Sequence, residues 1–120
     1  MGQIPSILLV DDEEEFVLML ASYIRSHGFE VETALDASQA LPLIDENTFD
    51  LIITDINLPG MNGIELIKKS REKKTGIPAI VITAYPAQWS QEEACKIGVL
   101  EYMVKPLDPE ELIRVINRSL

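Results

Sequence analysis

The chain is predicted to fold as an α/β domain, a single parallel five-stranded sheet with helices on both faces. Three observations carry that prediction. Short apolar runs alternate along the chain with windows whose apolar residues recur at helical spacing. Strands that alternate with helices of this length pair in parallel and pack the helices against the sheet. No repeat, low-complexity stretch or linker divides the 120 residues, so one domain over 1–120 is expected.

Ser6–Val10 reads as a strand buried on both faces. Glu14–His27 is predicted to be a helix, with Phe16, Leu20, Tyr23, Ile24 and His27 at helical spacing and Gly28 as its stop. Glu30–Ala34 alternates and reads as an edge strand. Asp36 is placed to cap a helix that runs to about Glu46, and Pro42 inside it predicts a kink or a late start. Leu51–Thr54 is the third strand, Gly63 to about Lys73 the third helix, and Ala79–Thr83 the fourth strand. Trp89–Ile97 is a weaker helix ended by Gly98, and Tyr102–Val104 is the fifth strand. Asp108 caps a last helix carrying Leu112, Ile113, Val115 and Ile116. Right-handed crossovers leave few topologies for such a series. The flavodoxin-like order 2-1-3-4-5, three layers deep, is the natural one, with its site at the switch between strands one and three.

Composition narrows the function classes. Hydrophobic content of 47% and charged content of 25% are ordinary for a globular domain. A net charge of −10 without a basic patch argues against direct nucleic-acid binding. Most of the acidity is spread as a soluble surface, but Asp11, Asp12, Glu13, Glu14 and Glu15 form a cluster able to hold a divalent cation. The single cysteine, Cys95, excludes an internal disulfide and is expected to be a small buried hydrophobe. With no basic and apolar leader and no apolar run near about 18 residues, a cytoplasmic protein without a membrane segment is expected. His27, the sole histidine, is expected to be a surface residue or a cation at a helix end.

The chemistry gathers at the strand ends. Asp11 and Asp12 follow the first strand, Asp55 the third, Thr83 the fourth and Lys105 the fifth. Ligand sites of open parallel sheets lie along the carboxyl edge of the strands, so these five should converge. Two adjacent carboxylates repel unless a cation joins them, and Mg²⁺ or Mn²⁺ suits such oxygen donors. The plain alternative for Asp12 is a helix N-cap feeding an acidic first turn. A carboxylate such as Asp55, beside bound metal, can attack phosphorus and become an aspartyl phosphate. Its alternative is a turn residue opening the loop NLPGMNG. A hydroxyl and an ammonium offset the charge on phosphoryl oxygens. Taken singly, Thr83 reads equally as a strand residue and Lys105 as a solvated lysine. Taken jointly, five such placements favour a metal-assisted phosphoryl site.

With these residues in view, the strings ILLVDDE, DLIITDINLPGMNGIEL, AIVITA and GVLEYMVKP resemble the receiver domain of two-component response regulators, a CheY-like fold, over Ile7 to about Leu120. The resemblance implies that Asp55 is the phosphoacceptor and that a histidine kinase or phosphotransfer protein is the donor. It implies a domain that assists its own phosphotransfer and dephosphorylation rather than an enzyme. Asp12 and Asp55 would bind Mg²⁺ directly, Asn57 through its backbone carbonyl and Asp11 through water. Thr83 would bind the phosphoryl group, Lys105 would pair with it, and the Lys105–Pro106 bond would be cis. Tyr102 would turn inward as Thr83 moves, changing the face made by the fourth helix, fifth strand and fifth helix. A homodimer through that face is a family expectation, for which Lys96, Arg114 and Arg118 could be set against Glu101 or Asp108, though these read equally as ordinary solvated charges.

Some positions depart from the family pattern. Val99-Leu100 replaces small and polar residues, Pro86 stiffens the loop before the fourth helix, and Trp89 is a candidate exposed aromatic. Asn57 and Tyr85 occupy positions that influence acyl-phosphate hydrolysis in the family, and a bulky Tyr85 is expected to shield the group from water. Among rival readings, a flavodoxin-like cofactor binder is opposed by DDEEEF where a phosphate loop would stand. An aspartyl-phosphate hydrolase would need an acid where Asn57 stands. A phosphate-independent receiver-like interaction module is the remaining alternative, though all five site residues are present.

Overall fold

A computed structural model describes residues 3–74 and 76–120. Strands and helices alternate throughout: β1 (Ser6–Val10), α1 (Glu14–Ser26), β2 (Glu30–Ala34), α2 (Ala37–Glu46), β3 (Leu51–Asp55), α3 (Gly63–Lys73), β4 (Ala79–Thr83), α4 (Gln88–Lys96), β5 (Glu101–Val104) and α5 (Pro109–Ser119). All strands are parallel, in the order β2-β1-β3-β4-β5. The predicted class and order are those observed.

The pleat divides the core in two, because successive strand residues point to opposite faces. Ile7, Leu9, Leu51, Ile53, Ile80 and Ile82 pack with α1 and α5 on one face. Leu8, Val10 and Ile52 pack with α2 and α3 on the other, and Ala79 and Val81 with α3 and α4. β2 is an edge strand with alternating exposure, as its sequence predicts.

Several boundaries differ from the sequence reading. α1 ends at Ser26, with His27 as its exposed C-cap. Its N-cap is Glu13 rather than Asp12, and no side chain caps it. α2 starts at Ala37 directly after its Asp36 cap, so Pro42 does not delay it. β3 extends one residue further and includes Asp55. α4 is shifted one residue earlier at both ends, and β5 begins at Glu101.

Cys95 is exposed, not buried. The buried stripe of α4 runs through Ser90 and Ala94, and the next residue is turned about 100° away along a 3.6-residue helix.

Candidate functional site

Each predicted residue reaches the carboxyl edge for a local reason. Asp11 leaves β1 with its amide bonded to Ala34 O at 3.1 Å, so β2 holds the turn. Asp55 closes β3 opposite Ile82. Thr83 closes β4, and its carbonyl accepts from the Lys105 amide at 2.8 Å. That bond brings the end of β5 to the same edge. Lys105–Pro106 is cis.

Lys105 sits among three carboxylates. Its Nζ donates to Asp11 Oδ2 at 2.7 Å, Asp55 Oδ2 at 3.0 Å and Glu13 Oε1 at 3.0 Å. These bonds use all three ammonium protons. The Phe16 ring lies 4.4 Å from the Nζ, a cation–π contact from α1. Asp11 and Asp55 are satisfied in the same way. The second oxygen of Asp11 accepts from Glu13 N at 2.9 Å, and that of Asp55 accepts from Asn57 N at 2.9 Å. Each carboxylate is therefore fixed between a turn amide and the ammonium.

Burial, hydrogen bonds and neighbouring charge together set the titration. Burial raises the Asp11 pKa, and the nearby Asp55 charge adds to it, against the lowering effect of its bonds from Lys105 and the Glu13 amide. Burial works against the Lys105 charge, yet bonds to Asp11, Glu13 and Asp55 outweigh it and hold the ammonium above its ordinary range.

Asp11, Asp12 and Asp55 each bring a carboxylate oxygen within 4.8 Å of the others. With Glu13 counted, four carboxylates and one ammonium leave a charge of −3, most of which a divalent ion offsets. The donors are all hard oxygens, so the residues fit Mg²⁺ or Mn²⁺. Asp12, Glu13, Asp55, Asn57, Ala84 and Tyr85 line an open cleft over this cluster. Tyr85 forms part of that rim while standing 76% exposed.

Thr83 is wholly buried. Its Oγ1 accepts from Asn57 Nδ2 at 2.9 Å and from Tyr85 N at 3.0 Å. Tyr102 lies on the far side of the loop after β4, half-buried. Its hydroxyl bonds Ser90 Oγ at 2.7 Å, and the Ala87 amide approaches it at 3.4 Å. In this structure the ring is thus already tied to the first turn of α4. The basic residues named for a dimer face have partners within the chain: Arg114 with Glu111, Lys96 with Glu93, and Arg118 with Glu101.

Sequence reasoning missed four contacts. Glu13 and Phe16 hold Lys105, Ser90 holds Tyr102, and Gly63 lets α3 close onto Asp55. The first three meet their partners across about 12 to 92 residues, so no local pattern announces them. Gly63 carries one signal, a poor helix former at a helix start.

Known proteins share this fold. The family model for the response regulator receiver domain matches residues 7–117. The transcriptional regulatory protein ZraR of Klebsiella oxytoca is 35% identical over 99% of the chain, and the regulatory protein AtoC of Escherichia coli 36% over all of it. The chain spans about a quarter of the length of these two relatives. A CheY-like receiver domain protein from Methanospirillum hungatei superposes with a TM-score of 0.93 at 30% identity, covering 98% of this chain and 94% of that one. Among the described residues no helix is long and apolar enough to cross a membrane.

Proposed function

The chain belongs to the response regulator receiver domain family of two-component systems, and we propose that Asp55 takes a phosphoryl group from a histidine kinase or a phosphotransfer protein. The observation that carries this reading is the seating of the Asp55 carboxylate, between the Asn57 amide and the Lys105 ammonium and beside Asp11 and Asp12.

A carboxylate oxygen of Asp55 attacks the phosphorus of the donor phosphohistidine. A P–O bond forms, the P–N bond breaks, and its electron pair returns to the imidazole. Mg²⁺ or Mn²⁺ held by Asp11, Asp12, Asp55 and the Asn57 backbone carbonyl would offset charge on the phosphoryl oxygens. Lys105 would redirect one ammonium proton from Asp55 to the new group. Thr83 is suited to follow, because two donors already occupy its oxygen and leave its own proton free for a phosphoryl oxygen. Its movement would reset the loop of residues 84–87, and with it the Tyr102 tie to α4. The surface of α4, β5 and α5 would then carry the signal. Slow attack by water on the acyl phosphate, releasing inorganic phosphate and restoring the Asp55 carboxylate in a cytoplasmic setting, completes the proposal.

Intact mass after incubation with Mg²⁺ and acetyl phosphate tests this reading. One added phosphoryl group is expected on the wild type and none on Asp55→Asn. An unmodified wild type would overturn it.

A further inference from the structure

Asp55 ends β3 with its backbone carbonyl enclosed from two sides. On one side the hydroxyl of Thr54, itself wholly buried, donates to the Asp55 carbonyl at 2.9 Å. On the other, α3 begins at Gly63, whose amide donates to Ile56 O at 2.9 Å. A Cβ at Gly63 would lie 2.1 Å from the Asp55 carbonyl oxygen and 2.9 Å from its carbon. Those are backbone atoms, which cannot swing aside as a flexible side chain would. Gly63 is not among the glycines with positive φ. Its lack of a side chain therefore serves close approach rather than backbone freedom.

We propose that Thr54 and Gly63 are positioning residues for Asp55, a two-sided clamp that sets how far its carboxylate reaches toward Lys105 and the carboxylates of Asp11 and Asp12. The proposal rests on Asp55 being the acceptor. The distances it controls are short: 3.0 Å to Lys105 Nζ, and no more than 4.8 Å across the acidic cluster. Misplacing a reacting group by about 1 Å costs on the order of a hundredfold in rate. Neither residue is among those that line the cleft over the acidic cluster; each acts through the Asp55 main chain.

The test measures two quantities on each folded variant. One is the rate of phosphorylation at saturating acetyl phosphate, and the other is Mg²⁺ affinity by calorimetric titration with the metal alone. Gly63→Ala is expected to lose on the order of a hundredfold in rate and to bind Mg²⁺ more weakly. Thr54→Val keeps the side-chain shape and removes the hydroxyl; it should be slower by several-fold, with Thr54→Ser restored to the wild-type rate. Asn62→Ala is the matched control. It removes the α3 cap one residue before Gly63 and should leave both quantities unchanged.

The clamp is overturned if Gly63→Ala and Thr54→Val match the wild type in both quantities. It is equally overturned if Asn62→Ala falls as far as Gly63→Ala, or if Gly63→Ala fails to fold, because the gap then serves the fold alone. A wild type that binds Mg²⁺ without taking a phosphoryl group removes the acceptor reading, and Mg²⁺ affinity alone then decides the clamp. A wild type that does neither overturns both.

Discussion

β3 and β4 are buried along their whole length, whereas β5 is half-buried over Glu101–Met103 and exposed at Val104. The helices beside them differ in the same sense. α3 buries Gly63, Ile64, Leu66, Ile67 and Ser70, while α4 buries Ser90 and Ala94. Asp55 and Thr83 therefore stand on rigid central strands, and Tyr102 on a marginal one. The margin is held by polar ties, Ser90 to Tyr102 and Arg71 to the Ile97 carbonyl. Exchanging a hydrogen bond changes stability by about 1 kcal/mol, whereas re-forming a close-packed core costs several times that. A site that needs fixed distances is placed where packing decides. The surface proposed to change is placed where hydrogen bonds decide.

The contrast is broken most strongly by cavity formation. Ile53→Ala, at a wholly buried position of β3, should lose about 2–5 kcal/mol in urea unfolding. Val104→Ala, on the margin, should stay within about 0.5 kcal/mol. Equal losses at the two positions would erase the distinction between centre and margin.

Metal sharpens the central half of the comparison. An ion that binds only the folded chain should stabilise it by about 2.7 kcal/mol at roughly a hundred times its Kd. Thermal unfolding with Mg²⁺ and then with EDTA would show the rise and its reversal, and Asp12→Ala should abolish both. A rise that survives Asp12→Ala would place the ion elsewhere.

The marginal half is tested by a double-mutant cycle. Ser90→Ala and Tyr102→Phe should each cost about 1 kcal/mol, and the pair together little more than either one. Trp89 supplies the readout for local change, since it is the single tryptophan, stands 54% exposed and neighbours Ser90. Its emission should shift in either variant. Fully additive costs would mean the two hydroxyls are not coupled.

The smallest effect belongs to the exposed cap of α2. The Ser38 hydroxyl and the Gln39 amide bond the Asp36 carboxylate and hold its pKa below the ordinary carboxylate value. A depressed acid stabilises the fold above its unfolded pKa and loses that contribution as pH falls through the folded one. The stability gap between wild type and Asp36→Ala should therefore be constant near neutrality and narrow in acid. A gap that widens in acid would contradict the cap.

Much of this was legible along the chain because it depends on local rules. The strand runs are apolar except at their ends, where Ser6, Thr54, Asp55 and Thr83 stand, and that near-continuous apolar pattern marks β1, β3 and β4 as strands buried on both faces. Asp36 and Asp108 cap α2 and α5 as their positions predict, and Asn62 caps α3. Cys95 was misjudged because α4 carries too few apolar residues for its buried stripe to be read from spacing. Strand ends erred by one residue at Asp55 because a charged residue looks like a turn until neighbouring strands are seen to pair with it.

By itself the sequence determined the alternation of elements, the parallel order and the five polar residues at the strand ends. Periodicity, capping and strand-end placement are properties of short segments, which carry their own chemistry wherever they lie. The tertiary structure alone decided which atoms meet: that all three protons of Lys105 are taken by Asp11, Glu13 and Asp55, and that Tyr102 is fastened to Ser90. It also decided that α3 presses on the Asp55 carbonyl closely enough to require glycine. Those facts depend on how crossovers superimpose distant segments within a few tenths of an ångström. Close packing sets that precision across the whole domain, and no single stretch of residues contains it.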